Sequence, residues 1–159
     1  MSLRYVLAPG GASVIISDKA IATMIRFRQI GPSQKEEGGQ LFGRFDGSRT
    51  IIVEATSPKW LDRRGRAMFR PNRWLQQREI RVRHVRGLHF IGDWHTHPEK
   101  IPQPSKEDLQ NMAECFERSL HELHAFIMII VGTELPPEGF HVSLVKKDAV
   151  LILEHEVGA

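Results

Sequence analysis

The stretch that most constrains this chain is Leu88 to Trp94, a short apolar run that reaches His95-Thr96-His97 and is stopped by Pro98. A run of this length ending at a proline predicts a central strand, which needs cover on both faces, and the strand's end carries histidines. The rest of the chain supplies the cover. Ser17 or Asp18 has the character of an N-cap, and Ala20, Ile21, Met24 and Ile25 follow at helical spacing until Gly31 stops the pattern. Past the turn Glu36-Glu37-Gly38-Gly39, the runs Gln40 to Phe45 and Ile51 to Val53 predict a hairpin about Asp46-Gly47. Pro71 precedes a predicted helix over 72–86, and Ser105 opens another through Leu109, Met112, Ala113, Phe116 and Leu120. Ala125 to Val131, Phe140 to Val145 and Val150 to Leu153 read as strands. Helices among strands of mixed length predict an α/β (α+β) sandwich around one mixed sheet, and 159 residues make one domain over 1–159.

Hydrophobic residues are 41% and charged residues 26% of the chain, which excludes a disordered or fibrous protein. No apolar run is long enough to span a membrane or to serve as a signal peptide, and Cys115 is the one cysteine. A lone thiol excludes internal disulfides and multi-thiolate zinc sites, so the expected compartment is the cytoplasm.

The net charge of +3 is mild, but its distribution is uneven. Between Lys59 and Arg86 stand ten basic residues and two acidic ones, which leaves the remainder of the chain net acidic. This basic segment, 59–86, reads either as a solvated arginine-rich helix or as a docking face for an acidic partner. It lacks both an aromatic RNA-binding signature and a phosphate-cradling glycine loop, so nucleic acid is not the expected partner.

The chemistry concentrates in His95-Thr96-His97-Pro98 and Ser105-Lys106-Glu107-Asp108. Residues two apart on a strand share a face, so His95 and His97 can offer two imidazole nitrogens to one metal ion. Asp108, in the first turn of the next helix, is the expected third ligand. Two His and one Asp leave a position open for water, the arrangement of a catalytic zinc. The proton of that water needs a carboxylate, for which Glu37 is the first candidate and its neighbour Glu36 the second. Ser105 is expected to stabilise the oxyanion, although Ser105 with Asp108 also has the pattern of a helix capping box.

Glu37, then His95-Thr96-His97-Pro98, six residues, Ser105, two residues and Asp108 resemble the JAMM motif of the MPN/JAB (MPN+) metalloprotease family. Gly38-Gly39-Gln40-Leu41-Phe42-Gly43 resembles the family's glycine-containing strand, and Gly92-Asp93-Trp94 its short stand-alone prokaryotic branch, associated with ubiquitin-like conjugation or antiphage operons. The resemblance spans about Ile16 to Val145. It implies an MPN/JAB (cytidine-deaminase-like) mixed sheet flanked by helices, one zinc held by His95, His97 and Asp108, and Glu37 as acid/base. The implied activity is hydrolysis of a peptide or isopeptide bond after the C-terminus of a ubiquitin-like or otherwise conjugated protein. Alternatives are processing of a sulfur-carrier protein, or a non-catalytic scaffold of the same fold that binds proteins. Reversal of Arg78, Arg81 and Arg83 to Glu is expected to weaken substrate processing while sparing metal content.

Other polar residues read more plainly. His121-Glu122-Leu123-His124 is one residue short of the zinc-protease pattern His-Glu-x-x-His and reads as a solvated helix end. Cys115 reads as a helix-buried thiol, and His84, His89, His141 and His155 as isolated polar residues. Trp60 and Trp94 are expected in packing, with Trp94 as a candidate wall of the substrate channel.

Overall fold

The computed structural model describes residues 2–7, 11–59, 63–65, 68–70, 73–118 and 123–158. The elements in chain order are β1 (Leu3–Val6), β2 (Ser13–Ile16), α1 (Asp18–Arg26), β3 (Gly38–Asp46), β4 (Arg49–Ala55), β5 (Arg63–Gly65), β6 (Met68–Arg70), α2 (Arg73–Val85), β7 (His89–Thr96), α3 (Lys106–Arg118), β8 (Phe126–Val131), β9 (Phe140–Val145), β10 (Val150–Ile152) and β11 (Glu154–His155). One nine-stranded sheet runs β10-β9-β8-β7-β3-β4-β2-β1-β11, and β5 pairs with β6 apart from it. The sheet is mixed: β2 with β4 and β7 with β8 are parallel, and the other neighbours are antiparallel.

Local chemistry explains the main elements. Ser17 caps α1, its Oγ accepting from the Ala20 N–H at 3.2 Å. The helix ends at Arg26, short of the predicted stop at Gly31, because the Arg28 side chain turns back to the Ile25 carbonyl at 3.1 Å and onward to Thr133 O at 2.9 Å. Gly47, at φ +61°, turns the β3–β4 hairpin where Asp46-Gly47 predicted it.

Every residue of β8 is buried, which explains why this strand has no polar alternation. Ile127, Ile129 and Val131 face α1 with Ala20, Ile21 and Met24, whereas Phe126, Met128 and Ile130 face α3 with Met112. The Arg83 guanidinium of α2 lies 4.8 Å from the Phe42 ring centre. From there Phe42, Phe90, Phe126 and Phe116 form an edge-to-face row with centroids 5.2–6.0 Å apart, so α2 and α3 share one face of the sheet. The strands β1, β2 and β11 were not anticipated from the sequence; β1 pairs with both β2 and the short terminal β11.

An irregularity in β7 sets the site. The β3–β7 register shifts between Leu41 and Phe42, leaving Ile91 as the extra residue beside Gly92. A Cβ on Gly92 would stand 1.8 Å from the Ile127 carbonyl oxygen, so only glycine permits β8 to approach this closely. The shift lets Ile91 and Trp94 both enter the α1-side core and sends His95 and His97 to the opposite face, under α3.

Candidate metal centre

His95 and His97 sit where β7 ends between an antiparallel neighbour, β3, and a parallel one, β8; His97 N–H continues the pairing to Val131 O at 2.9 Å. The segment from β7 to β8 crosses over through α3, which brings the helix's first turn back above the strand ends. Ser105 caps that turn. Its Oγ accepts from Asp108 N–H at 3.0 Å, and Asp108 Oδ2 accepts from Ser105 N–H at 2.8 Å, a reciprocal capping box.

The Asp108 carboxylate also reaches both histidines. Oδ1 lies 3.2 Å from His95 Nε2 and Oδ2 lies 3.1 Å from His97 Nε2, while the two Nε2 atoms are 3.2 Å apart. Ligand atoms of a tetrahedral ion with arms of 2.0–2.1 Å stand about 3.3 Å from one another, close to the separation of the two Nε2 atoms and of each from its own Asp108 oxygen. Glu36 joins them. One ligand atom from each of Glu36, His95, His97 and Asp108 lies within 4.8 Å of all the others. Capping and ligation by Asp108 are thus compatible, and the residue types suit zinc or another divalent ion that accepts imidazole and carboxylate.

The acid brought to this cluster is Glu36, the second of the two sequence candidates; Glu37 is not among its members. The reason is register. Gly38 pairs with His95, and beyond it Thr96 N–H donates to Glu37 O at 2.8 Å while Thr96 Oγ1 accepts from Glu37 N–H at 2.9 Å. Paired residues share a face and neighbours alternate, so Glu36 lies on the histidine side and Glu37 on the other. Thr96 itself donates to Gln29 Oε1 at 2.9 Å, and Gln29 Nε2 donates to Gln34 O at 3.3 Å, which ties down the loop that carries Glu36.

Burial pushes the Glu36 carboxyl above its usual range, with Asp108 and Glu107 acting the same way and His95 and His97 opposing. Burial would also raise Asp108, but hydrogen bonds from His95 and His97 hold it far below the usual carboxylate range. For His97 burial is opposed and outweighed by Asp108, with Glu99 and Glu36 adding to the rise. Asp93, two residues before His95 on the same face, is pushed up to about 7 by burial, and among the described residues its Oδ1 has no hydrogen-bond partner.

Several sequence expectations change. Trp94 is completely buried on the opposite face, 6.1 Å from Phe27 between ring centres, and its Nε1 donates to Thr56 O at 3.0 Å; it is a packing residue and no channel wall. Arg83 points inward and is paired with Glu54 and Glu79, so it is structural and unsuited to docking. His141 is not isolated: it is buried in β9, opposite Ile130, which is opposite His95, and burial together with His95 and His97 lowers its pKa. Cys115 is half-buried against the α3-side core. Trp60 and the His121-Glu122 pair lie outside the described residues.

Comparison with known proteins gives the chain a family. Residues 18–145 match the family model for prokaryotic homologues of the JAB domain. A protein of Enterobacter hormaechei named CD-NTase/cGAS isopeptidase is 30% identical over 122 residues, covering 76% of this chain and 67% of that protein. One of the same name from Vibrio cholerae is 27% identical over 122 residues, covering 75% of this chain and 76% of its own length. The solution structure of a protein from Desulfitobacterium hafniense has the same fold, with a TM-score of 0.60 at 24% identity over 89% of this chain and 88% of that one. The chain belongs to the prokaryotic JAB-domain family.

Proposed function

We propose that this protein is a zinc-dependent JAMM-type isopeptidase that releases a protein conjugated through its C-terminus. The observation that carries this reading is the convergence of Glu36, His95, His97 and Asp108 at the end of β7. The relatives named CD-NTase/cGAS isopeptidase support the bond type, and by the same likeness the conjugate is one containing a protein of the CD-NTase/cGAS kind.

His95, His97 and Asp108 would hold one zinc ion per chain. Zinc bound there supplies Lewis-acid polarisation of the scissile carbonyl and acidification of water. The water oxygen adds to the carbonyl carbon, the carbonyl electrons passing to its oxygen, and the carbon–nitrogen bond breaks as that oxyanion collapses, with Glu36 carrying one water proton to the departing amine. The Glu36 carboxylate, buried within 4.8 Å of the ligand atoms, is placed to make both halves of that transfer. Ser105 holds Asp108 through the capping box, its Oγ accepting there, and its hydroxyl hydrogen, which meets no acceptor among the described residues, would donate to the developing oxyanion. The role first expected of Glu37 passes to Glu36 on the register argument.

The outer face of α2 is the proposed docking surface. Trp74, Arg78, Arg81, Val82 and Val85 follow one another at helical spacing and are exposed, and Arg78 and Arg81 have no acidic partner among the described residues. An apolar stripe with two free cations fits a protein surface edged with carboxylates. The helix lies beside the metal centre, since Gln40 Nε2 donates to Gln76 O at 3.4 Å and Gln40 pairs with Asp93.

The test is cleavage of a ubiquitin-like protein joined to a lysine side chain, with and without chelator. Cleavage that stops with chelator and returns with zinc supports the reading, and cleavage indifferent to chelator contradicts it.

A further inference from the structure

We propose that Glu99 is a positioning residue of the metal centre, fixing the tautomer and orientation of His97; this rests on the zinc reading of the site above. Glu99 Oε1 accepts a hydrogen bond from His97 Nδ1 at 3.0 Å, on the side of the ring away from Asp108. A neutral imidazole has one N–H. Holding it at Nδ1 leaves the lone pair at Nε2, the atom that faces Asp108 and His95.

The chain around Glu99 is held in place for this contact. Its carbonyl oxygen accepts from Thr133 N–H at 2.7 Å, and Thr133 O in turn accepts from Arg28 Nη1 at 2.9 Å. Gly132 lets the two segments meet: a Cβ there would stand 2.5 Å from Glu99 O and 2.6 Å from Lys100 O. Pro98 stiffens the link from His97 to Glu99. The segment after β8 therefore braces the acid that orients a ligand on β7.

The two histidines are unequal in this respect. Among the described residues His95 Nδ1 has no hydrogen-bond partner, so the orienting device belongs to His97 alone. The Glu99 side chain is 49% exposed, where charge by itself contributes little across water. Its effect on the centre is carried by the hydrogen bond, and an uncharged acceptor of the same shape preserves it.

The experiment is zinc affinity of the full chain, by competition against a chelating dye, for the wild type, Glu99→Ala, Glu99→Gln and the exposed control Glu134→Ala. Glu99→Ala is expected to weaken zinc binding by about ten- to a hundredfold. Glu99→Gln, with its amide oxygen toward His97, and Glu134→Ala should stay within about threefold of wild type, as acceptor geometry requires. Wild-type affinity in Glu99→Ala, or equal loss in Glu99→Ala and Glu99→Gln, overturns the proposal while leaving the zinc site intact. A wild-type protein that takes up no zinc overturns the metal reading and this role together. The melting temperature of the metal-free variants, unchanged from wild type, separates loss of orientation from loss of fold.

Discussion

Gly38 of β3 and His95 of β7 are cross-strand partners, and the chain continues paired through Glu37 and Thr96. Glu36 is thereby placed on the histidine face. Glu36→Gln should keep its zinc and lose cleavage by about a hundredfold or more, the usual contribution of a positioned acid/base. Glu37→Gln should cleave nearly as wild type. Turnover measured beside metal content checks both, and the opposite ranking would return the role to Glu37.

Ser105 serves Asp108 before it serves any substrate. Ser105→Ala removes one half of the capping box and should lower stability by about 1 kcal/mol, read as a lower melting temperature in the metal-free protein. It should also weaken zinc binding, because the Asp108 carboxylate loses part of what orients its turn. A variant with wild-type melting and metal affinity, impaired in turnover alone, would assign Ser105 solely to the oxyanion.

Glu54 is a hub for three cations, Lys19, Arg83 and Arg86, at 3.3, 3.0 and 2.9 Å. Burial pushes its carboxyl up, but the hydrogen bonds from Arg86, Arg83 and Lys19 outweigh this and hold it below the usual value of 4.5. With the folded pKa depressed, the stability Glu54 contributes is present above about pH 4.5 and is lost as pH falls through the lower folded value. Glu54→Ala should cost about 1–2 kcal/mol at neutral pH, chiefly by taking one of two carboxylate partners from the half-buried Arg83, since Lys19 and Arg86 are exposed, and should flatten the acid limb of the melting profile. Unfolding curves at several pH values measure both; an acid limb as steep as wild type would remove Glu54 from the account.

Arg78 and Arg81 differ from Arg83 in having no structural partner among the described residues. Arg78→Glu with Arg81→Glu should leave melting and zinc content unchanged and raise KM for a conjugated protein about tenfold at low salt, with less effect at high salt. Arg83→Ala should instead destabilise the fold. Unchanged KM in the double variant would free α2 of a docking role.

Periodicity is a property of single segments, and the segments that carry it were legible: α1, α3, β7, β8, β9 and the Asp46-Gly47 hairpin stand within a few residues of where their patterns put them. The cluster of His95, His97 and Asp108 was legible as spacing. What spacing does not contain is register. Glu36 and Glu37 are equivalent in composition and separated only by which of them pairs with Thr96. Arg83 was indistinguishable from Arg78 because helical position says nothing of Glu54, which comes from β4. Trp94 packs as its apolar setting suggested, and the further possibility of a channel wall falls because the irregularity at Ile91 turns it into the α1-side core. The short strands β1 and β11 bury few residues and exist by pairing with each other and with β2, which no local pattern announces.

On the function proposed above, His95, His97 and Asp108 together hold one zinc ion that peptide-bond cleavage requires. The most direct measurement is zinc stoichiometry of the purified chain and of His95→Ala and Asp108→Ala, taken in the same samples as cleavage of an isopeptide-linked ubiquitin-like protein. About one zinc per wild-type chain is expected, with metal and cleavage lost together in both variants. Full cleavage by either variant, or by wild-type protein stripped of metal, would contradict it.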